Sequence, residues 1–249
     1  MSEPASTGAA ADVDAASVPT LNRLGRTTTA LTEINERFVE VARTATRPVL
    51  DIGCAMGVAA LAALEAGAVV HANDVDPEHL RIVLERAPEA ERDRLVIVAG
   101  RFPDALPYDP GTFDAIHASN LLNFLTGEEI ERGFAAIASW LAPGGVFLSM
   151  SGSPYAGNIR GFVPAYEAAI AEGVRWPGEC ADLRAYSDDP TMSELPRFLH
   201  LLDPDVLVRS ARAVGLVVEE ARFFHRRGTP GYIRLDGREN VVLVARRPL

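Results

Sequence analysis

The sequence contains no lysine, and all 24 of its basic residues are arginine. Schiff-base chemistry and the lysine of a phosphate-binding loop are therefore excluded. Cysteine is nearly as scarce, with Cys54 and Cys180 the only two. Neither a disulfide framework nor a zinc cluster can be built from them, and no metal site is expected. No apolar run reaches the roughly 18 residues of a membrane span, so no membrane partner is expected. Positive charge is also in deficit, the formal net charge being −10. Nucleic-acid binding rests largely on phosphate neutralisation, so no nucleic-acid partner is expected either. The short basic cluster Arg226–Arg227 reads as a solvated turn. The opening stretch has neither a basic n-region nor an apolar h-region, which favours a cytoplasmic protein. Residues 1–19, rich in Ala, Ser and acids, read as a disordered tail.

What is present suffices for a core: 48% of the 249 residues are apolar. Residues 20–249 are expected to form one domain, as a monomer or homodimer. Strands and helices alternate along it. Arg47-Pro-Val-Leu-Asp-Ile-Gly53 reads as a buried strand, followed by an alanine-rich helix over 58–66 that Gly67 terminates. A strand over 68–73 precedes Asp76-Pro77, an N-cap and N1 proline for the next helix. Strands follow at 95–98 and 113–118. Thr126 and Glu129 make a capping box for a helix to 141 whose Ile130, Phe134, Ile137 and Leu141 share a face. Leu141-Ala-Pro-Gly-Gly145 reads as a turn, feeding a strand from Val146. Asp203-Pro204 starts the last helix, and two strands without an intervening helix close the chain as an antiparallel pair.

This pattern predicts an α/β fold, a Rossmann-like, mostly parallel seven-stranded sheet with helices on both faces and an antiparallel last strand. Residues 152–202 break the rhythm, with helical pieces expected near 160–172 and 193–200. So long a segment in a compact domain is usually functional. It is expected to cap the C-terminal edge of the sheet, where such folds place ligands.

The chief chemical signal is Asp51-Ile-Gly53-Cys54-Ala55-Met-Gly57 between a strand and a helix, with Asp74 ending the next strand. Small residues at 53, 55 and 57 admit a ligand close to the backbone, and Asp74 is placed to accept from a ribose diol. Dinucleotides and S-adenosylmethionine both use this geometry. The dinucleotide fingerprint asks for glycine where Ala55 and Val58 stand. Asp51 would also repel a pyrophosphate, whereas the ammonium and sulfonium of S-adenosylmethionine favour it. The second cofactor is the expectation.

Four segments in order then resemble class I S-adenosylmethionine-dependent methyltransferases. Val49-Leu-Asp-Ile-Gly-Cys-Ala-Met-Gly57 is similar to the first motif, with alanine for its middle glycine. Asp74-Val75-Asp-Pro-Glu-His-Leu80 is similar to the second. Leu106-Pro-Tyr108 with Phe113-Asp114, and Leu141-Ala-Pro-Gly-Gly145, match the later pattern. The resemblance covers about residues 45–150 and implies S-adenosyl-L-methionine as cofactor. Arg101 and Phe102 stand where the family often has an acid, implying that the Phe102 backbone holds adenine while Arg101 or Phe102 packs on the ring. Ala118, Ser119 and Asn120 would face the methionine end.

Methyl transfer from a sulfonium asks mainly for alignment and dryness, so no acid–base constellation is demanded. Candidate catalytic residues are His200, Tyr155, Asn123 and His225. His117 reads as a packed strand histidine and Cys54 as a small packing residue. Trp176, Phe162, Tyr166 and Phe198 could line an apolar pocket. The expected reaction is transfer of the methyl group to an O or N atom of a small-molecule acceptor. The alternatives are a protein that binds the cofactor without transferring its methyl, as a regulator or a scaffold for cyclisation or rearrangement, and a nicotinamide oxidoreductase.

Overall fold

The structure, a computed structural model, describes residues 17–22 and 25–249. Most of the expected tail 1–19 lies outside the described residues, but its last three form a strand. That strand, β1 (Ser17–Pro19), pairs antiparallel with β2 (Arg26–Thr28). There follow α1 (Glu33–Thr44), β3 (Val49–Ile52), α2 (Val58–Glu65), β4 (Val70–Asp74), α3 (Pro77–Arg86), β5 (Leu95–Ala99) and β6 (Phe113–Ser119). The rest is α4 (Gly127–Trp140), β7 (Leu141–Gly152), α5 (Val163–Ala171), β8 (Glu179–Cys180), β9 (Leu199–His200), α6 (Pro204–Ala213), β10 (Val217–Phe224) and β11 (Asn240–Arg246). Among the described residues no helix is long and apolar enough to cross a membrane.

Seven strands form one sheet in the order β10-β11-β7-β6-β3-β4-β5. The five from β5 to β7 run parallel, and β11 lies antiparallel between β7 and β10. Alternation along each strand divides the core between two faces. Val49, Ala115, Leu148 and Val242 pack with α1, α2 and α3. Their neighbours Leu50, Ile116, Phe147 and Val241 pack with α4 and α6. Successive strands from β3 fan outward through β4 to β5, while β6 lies on the other side of β3. That reversal opens a crevice above the carboxyl ends of β3 and β6, the place where doubly wound sheets bind ligands.

Local chemistry explains the boundaries. Asp76 and Asp203 accept backbone N–H bonds at the starts of α3 and α6. At α4, Thr126 Oγ1 accepts from Glu129 N–H, and the Glu129 carboxylate accepts from Thr126 N–H. Leu141-Ala-Pro-Gly-Gly145 is an irregularity inside β7 rather than a turn before it. The register jumps from Phe113↔Leu141 to Ala115↔Val146, with Gly144 at φ 78°.

The segment between β7 and α6 is less helical than expected. Residues 193–200 form no α-helix: Pro190–Glu194 is a 3-10 turn, and Leu199–His200 pairs with β8. Pro196 lacks the N–H that a helix would need there. The segment keeps its own small core, including Tyr155, Ile159, Tyr166, Leu183, Met192 and Leu201.

Candidate functional site

A cavity of about 390 Å³ lies over the carboxyl ends of β3, β4 and β6. Of the residues expected at the cofactor, Asp51, Gly53, Cys54, Ala55, Asp74, Val75, Arg101, Phe102, Ser119 and Asn120 line it. Gly57 and Ala118 do not. Gly57 caps α2 at φ 79°, where a Cβ would lie 2.8 Å from Val83, so its smallness serves helix packing. Ala118 is wholly buried in the core on the α4 side of the sheet.

The loop after β3 folds back sharply. Gly53 and Ala55 both have positive φ, 67° and 46°, and a Cβ on Gly53 would come within 3.1 Å of Leu121. Glycine tolerates that region, whereas alanine is strained in it. The strain at Ala55 is opposed by Asp74, whose Oδ2 accepts the Ala55 N–H at 2.9 Å. Asp74 Oδ1 accepts from Asp76 N–H at 2.9 Å and from His79 Nδ1 at 3.1 Å. Burial works against this carboxylate's charge, but the bonds from His79, Asp76 and Ala55 prevail and lower its pKa. A carboxylate offers about four lone-pair directions. Three of them are taken by these bonds, and one on Oδ2 is left open toward the cavity.

Three residues that sequence reasoning did not assign to the site complete it. His79 is buried, and its Nε2 accepts the Leu21 N–H at 3.1 Å. Its proton therefore sits on Nδ1, directed at Asp74, and that bond raises its pKa. His117 is not merely packed in its strand. Its Nδ1 lies 2.7 Å from Asp51 Oδ1, and its Nε2 lies 3.1 Å from Asn35 Nδ2. Asn35 Oδ1 accepts from the Thr32 N–H and hydroxyl, which leaves the amide N–H to face His117. His117 Nε2 must then accept, and Nδ1–H donates to Asp51. The strand register brings these two together, because Asp51 and His117 are Cα partners across β3 and β6. His117 also stacks on Phe38 with centroids 4.9 Å apart.

At the loop after β5, Asn73 Nδ2 donates to the carbonyls of Val98 and Gly100 and ties that loop to β4. A Cβ on Gly100 would lie 2.6 Å from the Ala105 carbonyl oxygen. The Phe102 ring turns inward against Gly133 and Trp140, and Arg101 pairs with Glu129 at 2.7 Å. Cys54 is buried between Asp51 and Asp74, and burial followed by those charges pushes its thiol pKa well up, so it is a poor nucleophile. The β1–β2 hairpin roofs the cavity with Thr20, Arg26, Thr27 and Thr28, and Gly25 lies against Phe124.

A second cavity of about 170 Å³ adjoins the first beneath the β7–α6 segment. Arg26, Thr27, Thr28, Asn120 and Phe124 line both. Of the catalytic candidates only Asn123 lines it, and its amide is spent on the Gly152 backbone and the His200 carbonyl. His200 is fully buried, bonded through Nδ1 to the Leu125 carbonyl and set edge-on to Trp176. Burial lowers its pKa to about 4, so it is neutral and structural. Tyr155 packs against Tyr166, Phe223 and Arg238. His225 is part-exposed on another surface and pairs with Glu239 at 2.9 Å. Phe198 borders the first cavity, while Trp176, Phe162 and Tyr166 border neither.

The wall therefore offers two carboxylates, Asp51 and Asp74, and a glycine-floored cradle. That donor and charge set suits a cationic nucleoside such as S-adenosylmethionine and disfavours a pyrophosphate.

Residues 49–145 match the family described as "Methyltransferase domain". Over 96 residues the chain is 34% identical to the 18S rRNA (guanine-N(7))-methyltransferase of Schizosaccharomyces pombe, covering 38% of this chain and 34% of that protein. The chain spans 24–44% of the length of the curated relatives it matches. A SAM-dependent methyltransferase from Methanosarcina mazei superimposes with TM-score 0.60 at 16% identity, over 82% of this chain and 93% of that one. The glycopeptide N-methyltransferase MtfA, complexed with S-adenosyl-L-homocysteine, gives 0.58 at 21%, over 86% and 88%. At these identities the likeness of the solved structures is one of fold.

Proposed function

We propose, from the match of residues 49–145 to a methyltransferase domain and from the cavity above it, that the chain is a class I S-adenosylmethionine-dependent methyltransferase that methylates an oxygen or nitrogen of a small-molecule acceptor. One observation carries the acceptor half of this reading. The cavity fitted to the cofactor opens through five shared residues into a second, mainly aliphatic cavity beneath the β7–α6 segment, which acts as a cap.

When bound, the cofactor supplies an activated, electrophilic methyl group. The chain's own part is to bind, orient and keep water out. Asp51, its carboxylate held by His117, faces the methionine ammonium. Asp74 would hold the ribose through Oδ2, and the Phe102 backbone would border the adenine. Asn120, at φ 57° with its N–H on the Met150 carbonyl, stands at the seam where donor and acceptor meet. Leu199, Leu201 and Ile159 hold the acceptor's apolar body and exclude water from the transfer. A small acceptor met in the cytoplasm fits a 170 Å³ cavity and an acidic chain better than a polynucleotide does.

One observation favours the alternative of binding without transfer: no unengaged acid or base among the four expected candidates reaches the seam. Incubation with labelled cofactor and a panel of metabolites, with ribosomal RNA as a further arm, separates the readings. Labelled small-molecule product with S-adenosylhomocysteine is expected. Label entering only RNA, or cofactor binding without turnover of any acceptor, would overturn the proposal.

A further inference from the structure

The second cavity contains a buried cation that, among the described residues, forms no ion pair. Arg226 does not sit in a solvated turn. It is 6% exposed and lines the second cavity, whereas its neighbour Arg227 is exposed and pairs with Glu33 and Glu36. The Arg226 guanidinium makes one long hydrogen bond, Nη1 to the Arg227 carbonyl at 3.5 Å. Among the described residues no carboxylate forms an ion pair with it.

Glu239 shares the cavity wall, and Glu33, whose Oε2 has no hydrogen-bond partner, lies close enough for its charge to act on Arg226, but both are engaged by other donors. Glu239 Oε1 accepts three N–H bonds, from Leu235, Asp236 and Gly237, and its Oε2 accepts from His225. Glu33 Oε1 takes the backbone N–H and guanidinium of Arg227. A buried guanidinium with one long hydrogen bond and no ion pair is costly to the unliganded fold, and burial lowers its pKa. A second polar group in the same wall is also unpaired. Asn240, 7% exposed at the start of β11, has an Nδ2 with no acceptor. The remaining wall is largely aliphatic, with Ile159, Leu183, Met192, Leu195, Leu199 and Leu201.

We propose, building on the methyl-transfer reading, that the acceptor carries a carboxylate held by the guanidinium fork of Arg226 and by the Asn240 amide. Its apolar body then lies against the cap, and its reactive atom points to the seam at Asn120. A planar fork matches the two oxygens of a carboxylate in bidentate fashion. The charges of Arg26 and Glu239 in the same wall offset each other, which leaves the single positive charge of Arg226, so a monoanion fits better than a phosphate dianion.

The test uses the full chain saturated with S-adenosylhomocysteine. Calorimetry is run with matched pairs of straight-chain and aryl carboxylates and their amides, from three to ten carbons, with octyl phosphate alongside. At least one carboxylate should bind tenfold or more tightly than its amide, and R226M should abolish that preference. R226M should keep its affinity for S-adenosylhomocysteine, and without ligand its Tm should equal or exceed that of the parent. Equal binding of carboxylates and amides throughout, tighter binding of octyl phosphate, or a Tm lowered in R226M would overturn the proposal. Failure of the parent protein to bind S-adenosylhomocysteine would instead overturn the reading on which it rests.

Discussion

Removal of the Asp74 carboxylate would leave two backbone N–H groups and His79 Nδ1 without their acceptor. D74A is therefore expected to weaken S-adenosylhomocysteine binding by about 1–3 kcal/mol and to lower Tm as well, because Ala55 loses its restraint. An unchanged Kd in calorimetry would remove Asp74 from the cofactor site. His200 makes the opposite point, that a buried histidine in the right region need not be chemical. Its folded pKa of about 4 lies below the ordinary 6.5. The unfolded chain then binds a proton between those values that the folded chain refuses. Stability should be full above pH 6.5 and fall by about 3 kcal/mol as pH drops to 4. H200N should flatten that slope in urea titrations while leaving turnover intact; a lost reaction with an unchanged slope would reinstate His200 as catalytic. Much of the cofactor loop was legible because its residues are contiguous. The Asp51–His117–Asn35 chain was not, since it joins β3, β6 and α1 through a strand register that no local motif encodes. The burial of Arg226 was hidden by the Gly- and Pro-bearing loop around it, which reads as surface.

Elements with strong caps and regular apolar spacing were read correctly from sequence, α4 and α6 above all. Helix α1 escaped notice although Ile34, Phe38, Val39 and Ala42 form its buried face and Thr32 precedes it. The 193–200 stretch misled in the other direction. Leu195, Phe198 and Leu199 imitate helical spacing, but Pro196 and pairing with β8 prevail. Several bonds join the segment between β7 and α6 to the sheet domain, among them His200 to Asn123 and Leu125 and the Tyr166 hydroxyl to Asp203 Oδ2 at 2.8 Å, while Asp203 Oδ1 caps α6. Y166F removes a hydrogen bond to a charged acceptor and should cost about 1.5–3 kcal/mol in chemical denaturation. An effect within error would mean that the other bonds and the apolar core hold the segment without it.

At the scale of the whole molecule, the sheet supplies one wall of the first cavity through Asp51, Asp74 and His117, and segments outside the sheet close it. The hairpin of β1 and β2 meets α3 at Leu21 N–H to His79, and it roofs the cavity proposed for the cofactor and borders the one beside it. If spent cofactor leaves past this hairpin, the rate of each cycle would be set by the opening of a small lid and not by bond making. Deleting residues 1–28 should speed S-adenosylhomocysteine dissociation at least tenfold in stopped-flow measurements while the unliganded Tm barely moves. An unaltered off-rate would mean that exit runs elsewhere. If the lid governs escape, the protein's working speed is tuned by an N-terminal strip that takes no part in its chemistry, and changes at Arg26, Thr27 and Thr28 would reshape the acceptor cavity as well.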